Sequence, residues 1–171
     1  MSTNMNFYVE RYNRKNKVWD ALIPTVQTRD YSGNLVTKKV FFWEYNGTHE
    51  IFSILQGDSG YENEFFARDG VPDDLSAEVK AIYDKDFPAD GEYTGCWEPH
   101  YCTLADLYVY YLENKEVPDY EAEWDEDNKK MITNPIWGII ERVIFYLEAL
   151  YDEWDWKEVM SDVRLVYWFD N

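Results

Sequence analysis

The stretch Gly95–Leu107, GCWEPHYCTLADL, holds both cysteines of the chain, Cys96 and Cys102, and one of its two histidines, His100. Thiolate and imidazole are the ligands that zinc prefers, and His49 from elsewhere would complete a Cys2His2 set. A cysteine near a histidine is also the raw material of a thiol nucleophile and its base. The spacing speaks against both. Structural zinc knuckles present cysteines with about two to four residues between them, whereas five residues lie between Cys96 and Cys102. Nucleophile and base are paired by spatial geometry, which nearness in sequence does not supply. A simpler role fits the same residues. Thr103-Leu104-Ala105-Asp106 has the hydroxyl cap and the acid three residues on of a capping box, so the segment reads as a loop that launches a helix.

Carboxylates offer a second chemistry. Asp58, Glu62, Glu64, Asp69, Asp73 and Asp74 are close enough in sequence to supply oxygen ligands to Mg²⁺ or Ca²⁺. The segment Asp58–Glu64, DSGYENE, nevertheless lacks the ordered register and the distant glutamate of a calcium loop. Among thirty-four acids such groupings arise by chance. The sequence contains no Gly-rich phosphate loop, no G-x-S-x-G and no H-E-x-x-H. No metal or cofactor is expected, and an enzyme is the weaker alternative, built on His100 with nearby carboxylates.

The elements that would position these residues follow from pattern. Phe7, Val9 and Arg11 alternate with Tyr8, Glu10 and Tyr12 as in a strand, and the polar run Asn13–Lys17 turns the chain into Val18–Ile23. Asp30-Tyr31-Ser32-Gly33-Asn34 is a second turn, leading to an extended Leu35–Tyr45. A short helix is predicted over 48–55, and Ser76 is placed to cap another whose inner face is Val79, Ile82 and Tyr83. Leu104, Leu107, Tyr108, Tyr111 and Leu112 recur at helical spacing. Asn134-Pro135 is a cap followed by proline at the first helical position. The helix behind it, with Ile136, Ile139, Ile140, Val143, Ile144, Leu147 and Leu150, is expected to be the central buried one. Val163–Phe169 alternates as a closing strand. Strands, then helices, then a last strand predict a single α+β domain over 1–171. Its antiparallel sheet, made of the N-terminal strands and the C-terminal strand, packs about four helices on one face.

Charge narrows the partners. The chain of 171 residues has a formal net charge of −18, and 19% of it is aromatic. Residues 1–45 carry seven bases against four acids, a net of +3, while 46–171 carry nine against thirty, a net of −21. Such a surface repels nucleic acid and anionic lipid and attracts basic protein surfaces. The bases from Arg11 to Lys17 lie among Tyr8, Tyr12 and Trp19, a mixture that can hold single strands, but the bulk charge outweighs them. Residues 113–127 hold eight acids and one lysine and read as an exposed acidic loop. Within it Glu113, Glu116, Asp119, Glu121, Glu123, Asp125, Glu126 and Asp127 form the candidate partner-binding set, with Trp124 as an apolar anchor. No apolar run is long enough to span a bilayer, and the N-terminus lacks the pattern of a signal peptide.

Four stretches carry a resemblance: FYVE at 7–10, HEIFSILQG at 49–57, RDGVPDDLSAEV at 68–79 and HYCTLADL at 100–107. They resemble a family of uncharacterised phage and prophage proteins with an "RGLP-D-S-EV" element followed by an "HS-S-LTL-EL" element. The match covers roughly residues 5–112, and GVPDDLSAEV and TLADL are its most specific parts. Where that family has His-Ser pairs, this chain has His100-Tyr101-Cys102. The resemblance implies no activity; it implies origin in a phage or mobile element, and hence a place in the host cytoplasm. Together these features predict an acidic host-interaction protein that inhibits a defence or nucleic-acid-binding protein through a DNA-mimicking face. A structural or accessory phage protein, its charge serving only solubility, is a further alternative.

Overall fold

A computed structural model describes residues 4–23, 25–39, 44–45, 49–56, 65, 67–119, 130–150 and 160–170. The chain opens with β1 (Asn4–Asn13) and β2 (Val18–Ala21), a hairpin closed where Lys17 takes a positive φ of 56° and donates its N–H to Asn13 O. β3 (Thr25–Arg29) and β4 (Leu35–Lys39) form a second hairpin around the predicted turn, where Asp30 Oδ1 accepts the N–H groups of Ser32 and Asn34. β5 (Glu44–Tyr45), α1 (His49–Gln56), β6 (Arg68–Asp69) and α2 (Ala77–Asp86) follow. Then come β7 (Cys96–Thr103), α3 (Leu104–Glu113), β8 (Glu116–Pro118), β9 (Met131–Thr133) and α4 (Ile136–Leu150). A 3-10 turn (Met160–Asp162) delivers β10 (Val163–Asp170). Among the described residues the fold is α+β, with four helices and an antiparallel sheet, as the order of patterns predicts.

The main sheet runs β2-β1-β10-β7-β6, with β5 also paired to β1. The last strand is thus the middle one. Asn4 to Arg11 pair with Asp170 to Val163 on one side, and Thr103 to Cys96 pair with Arg164 to Asp170 on the other. All seven residues from Val163 to Phe169 are buried, which marks a strand covered on both faces. Val163, Leu165, Tyr167 and Phe169 join the larger core with Ile51, Ile54 and Leu55 of α1, Leu104 and Leu107 of α3, and Ile139, Ile140 and Val143 of α4. Val166 and Trp168 point the other way, to Val79, Ile82 and Tyr83 of α2.

Helices therefore lie on both faces, not on one. α2 crosses to the second face because Trp168 demands cover there: Tyr8 stacks on its ring at 4.6 Å between centroids, Tyr83 and Phe87 meet it edge-on at 5.8 Å, and its Nε1 donates to Asp86 Oδ2 at 3.1 Å. α4 is correspondingly a covering helix rather than a central one. Ile136, Ile139, Ile140, Val143 and Leu147 are buried, but Phe145 is 65% exposed and Leu150 43%. Trp168→Ala is expected to cost about 3–5 kcal/mol in denaturant unfolding. Phe145→Ala should change stability by no more than about 0.5 kcal/mol. Equal losses at the two positions would contradict this assignment of faces.

Candidate functional site

The segment 96–103, expected as a loop, is strand β7. Pro99 hides it in the sequence, since proline gives the ladder no N–H. Glu98, at φ 49°, and Pro99 together form a bulge: Tyr167 pairs with His100 and Phe169 with Trp97, so two residues of β7 face one of β10. Pro99 O is not idle, accepting the N–H of Gly70 at 2.7 Å.

Strand geometry then separates the candidate ligands. His100 and Cys102 lie on the face of the larger core, His100 with its ring 5.7 Å from that of Tyr167. Cys96 packs with Val166 and Trp168 on the opposite face. The three side chains do not converge. His49 begins α1, but its side chain lies outside the described residues. Among the described residues no group of three His, Cys, Asp or Glu side chains could hold a metal ion. Burial pushes the Cys102 thiol far above its ordinary value, and burial followed by the charge of Asp86 raises Cys96. Both changes disfavour thiolate, the form that attacks or ligates. The two ring nitrogens of His100 are buried without a hydrogen-bond partner. Nδ1 stands 3.4 Å from Asp69 Oδ1, within ion-pair distance but without hydrogen-bond geometry, and the Asp69 side chain is 97% exposed.

Thr103 caps α3 as predicted: its Oγ1 accepts Asp106 N–H at 3.0 Å and its own N–H reaches Asp106 Oδ2 at 2.8 Å. Partial burial opposes ionisation of Asp106, but Thr103 and the guanidinium of Arg68 at 2.8 Å outweigh it and hold the carboxyl below its usual range. A lowered carboxyl stabilises the fold above its unfolded titration range, and that contribution disappears as pH falls through the folded value.

The other candidates distribute as follows. Asp73 is exposed, and Asp74 is committed to Arg164, while Asp58, Glu62 and Glu64 lie outside the described residues. In the basic N-terminal turn, Arg14 pairs with Asp162, and Trp19 is covered by the Arg164 guanidinium 3.9 Å from its ring centroid. One face of the Trp19 ring is thus taken by Arg164, and the turn bearing Lys15 and Lys17 is an exposed hairpin tip.

The acidic segment is not simply a loop. Glu113 ends α3 and Glu116 lies in β8, which pairs with β9 through Glu116–Thr133, Val117–Ile132 and Pro118–Met131. Val117 is 3% exposed and anchors the hairpin in the core. Asp119 N–H donates to Lys130 O at 2.8 Å, and the two side chains pair at 2.9 Å. Glu121, Glu123, Trp124, Asp125, Glu126 and Asp127 lie outside the described residues.

Sequence reasoning missed the cluster built on Arg164, which donates Nε to Glu10 Oε2 and Nη1 to Asp74 Oδ1, each at 2.6 Å. Its signal was present: a lone cation inside the apolar run Val163–Phe169. A small apolar recess beside Tyr8, between β1, β2 and α2, is lined by Val9, Ala21, Leu22, Ile23, Val79 and Ile82 and offers no carboxylate, thiol or imidazole. Comparison with protein-family models, curated proteins and solved structures finds no match. With β7 as a packed strand, purified protein should carry no stoichiometric zinc, and Cys102 should resist a thiol reagent until the chain unfolds. One zinc per chain, or prompt labelling of Cys102 in the native state, would contradict this placement.

Proposed function

We propose that this chain is a phage-encoded acidic protein that binds a basic surface of a host protein, inhibiting a defence or nucleic-acid-binding protein by standing in for DNA. The observation that carries the reading is the distribution of charge. Over 113–127 the net charge is −7, and the β8–β9 pairing brings Asp119, within that segment, against Lys130 just beyond it. A tethered segment loses less freedom on binding than a free tail. Duplex DNA carries one charge per about 1.7 Å of axis, and a dense run of carboxylates competes for the same basic groove.

Arg14, Arg68, Lys80, Lys130 and Arg164 each pair with a carboxylate of the chain itself. Glu113 and Glu116 remain exposed. The phage origin rests on the resemblance of GVPDDLSAEV and TLADL. The alternative of an enzyme built on His100 with nearby carboxylates has Asp69 3.4 Å from Nδ1, but neither cysteine stands beside it as a thiolate, since Cys96 lies on the other face and burial raises Cys102.

Glu121→Lys, Glu123→Lys, Asp125→Lys and Asp127→Lys together move the segment from −7 to +1. Exposed charges add little to folding, so the melting temperature should hold. Capture of host proteins from a lysate should fall steeply, with a shallower salt dependence in what remains. Capture unchanged in amount and salt dependence would remove the acidic segment from the mechanism.

A further inference from the structure

The main sheet ends on one side at β2, and among the described residues no strand pairs with the outer edge of Val18–Ala21. Such an edge presents unpaired N–H and C=O groups, a template for another strand. Proteins guard edges of this kind with proline, a bulge or a row of charges. Here the four residues hold no proline, their register with β1 runs without a shift, and Asp20 is the one charge. Val18, a β-branched residue, is 48% exposed. On the far side the sheet ends at β6, which is only Arg68 and Asp69 and offers a partner little to pair with.

Charge runs along the β2 edge with a direction. At the hairpin end Lys15 and Lys17 are exposed, while Arg14 is taken by Asp162. At the other end lies the start of α2, because Ala21 pairs with Glu10, and the Glu10 carboxylate accepts the N–H of the cap Ser76. Glu78, in the first turn of α2, is exposed, as are Asp20 and Asp73. An edge positive at one end and negative at the other is complemented by the same edge reversed. A uniformly basic or uniformly acidic partner would meet repulsion at one end.

We propose that β2 pairs antiparallel with β2 of a second copy, joining the two main sheets across a two-fold axis. Opposed residues of a continuous sheet share a face, so the axis must set one residue opposite itself. At Asp20 it would oppose two carboxylates. At Val18 the pairing would run into the turn, where Lys17 has a φ of 56°. At Ala21 it would set Val18 against Pro24, which has no N–H to give. Trp19 remains. Pairing there sets Lys17 level with Ala21 of the second copy, at the end where that copy's Glu78 is exposed. The two-fold makes the contact twice and closes the dimer. The proposal does not rest on the host-partner reading, since neither Lys17 nor Glu78 belongs to residues 113–127.

Sedimentation velocity of the full chain tests it at about 0.1 M salt, where the Debye length is about 10 Å and the repulsion between whole charges is largely screened. Association should grow with protein concentration. Glu78→Lys and Lys17→Glu should each weaken it by about threefold or more, because two symmetric pairs turn repulsive together. Both substitutions in one chain restore the attraction and should return the dissociation constant to within about twofold of the parent. Glu78→Lys is the sharper arm: it takes the net charge from −18 to −16, so association governed by overall repulsion would strengthen. Hydrogen exchange should show the amides of Val18–Ala21 gaining protection as protein concentration rises. Should Lys17→Glu unfold, as circular dichroism and melting temperature report, Val18→Lys serves in its place, since an edge lysine blocks strand addition. A monomer at every concentration, stronger association of Glu78→Lys, or exchange in β2 that ignores concentration overturns the proposal. Self-association that persists where lysate capture fails supports the β2 contact and counts against the host-partner reading alone.

Discussion

A guanidinium lies inside the sheet, and the placement of much else follows from satisfying it. Arg164 is the second residue of the central strand and is 4% exposed. Stripping water from such a group costs several kcal/mol, so it is tolerated only where partners replace the water. Four do so. Glu10, its register partner on β1, accepts Nε at 2.6 Å; Asp74 accepts Nη1 on its carboxylate and Nη2 on its carbonyl; and Trp19 of β2 lies under the guanidinium plane. Trp19 in turn donates Nε1 to Asp74 at 3.0 Å, which closes the ring of contacts. Burial opposes ionisation of Asp74, but Arg164 holds its carboxyl below the ordinary range.

The cluster does more than neutralise a charge. The second oxygen of Glu10 accepts the N–H of Ser76 at 2.6 Å, and Ser76 is the N-cap of α2, its hydroxyl taking Val79 N–H. The same network that fixes β10 between its neighbours therefore fixes where α2 begins, and α2 covers Trp168. On the opposite face, Tyr167 donates its hydroxyl to Leu55 O at 3.0 Å and fastens the end of α1. Farther round, buried Asn134 caps α4 through Ile136 N–H and reaches Asn114 O, joining the end of α3 to the start of α4. Adjacent residues of one strand thus hold helices on both sides of the sheet.

The legible and illegible parts divide along a physical line. Local signals read well: the Thr103–Asp106 capping box, the Ser76 and Asn134 caps, the turns at Asn13–Lys17 and Asp30–Asn34, and the inward face of α4 are all as their residue types predict. These depend on contacts within a few residues. The order of strands does not. Val163–Phe169 reads as a closing strand, although a run apolar at every position but Arg164 is what a strand buried on both faces presents. β7 was hidden because a bulge and Pro99 interrupt its alternation, and the separation of Cys96 from His100 follows only once that strand is recognised. Ile144 and Leu150 make α4 look buried over most of its circumference, yet Leu150 is exposed and Ile144 only partly buried. The acidic candidates from Glu121 to Asp127 lie outside the described residues, but Val117 and the β8–β9 pairing show what holds the segment's ends.

Function and fold place opposite demands on charge. The surface keeps carboxylates in excess, whereas the interior commits one, Glu10, to a buried arginine that Asp74 meets from the surface. The central claim is that this buried pair organises the docking of α2. A double-mutant cycle on Glu10 and Arg164 tests it most directly. Removing one member leaves the other buried and unpaired, so Glu10→Met and Arg164→Met should each cost about 3–5 kcal/mol. The double variant should recover at least about 2 kcal/mol of the summed loss, within the range seen for coupled neighbours. Additive losses, or single losses under about 1 kcal/mol, would contradict the claim and leave apolar packing of Trp168 as the organising contact.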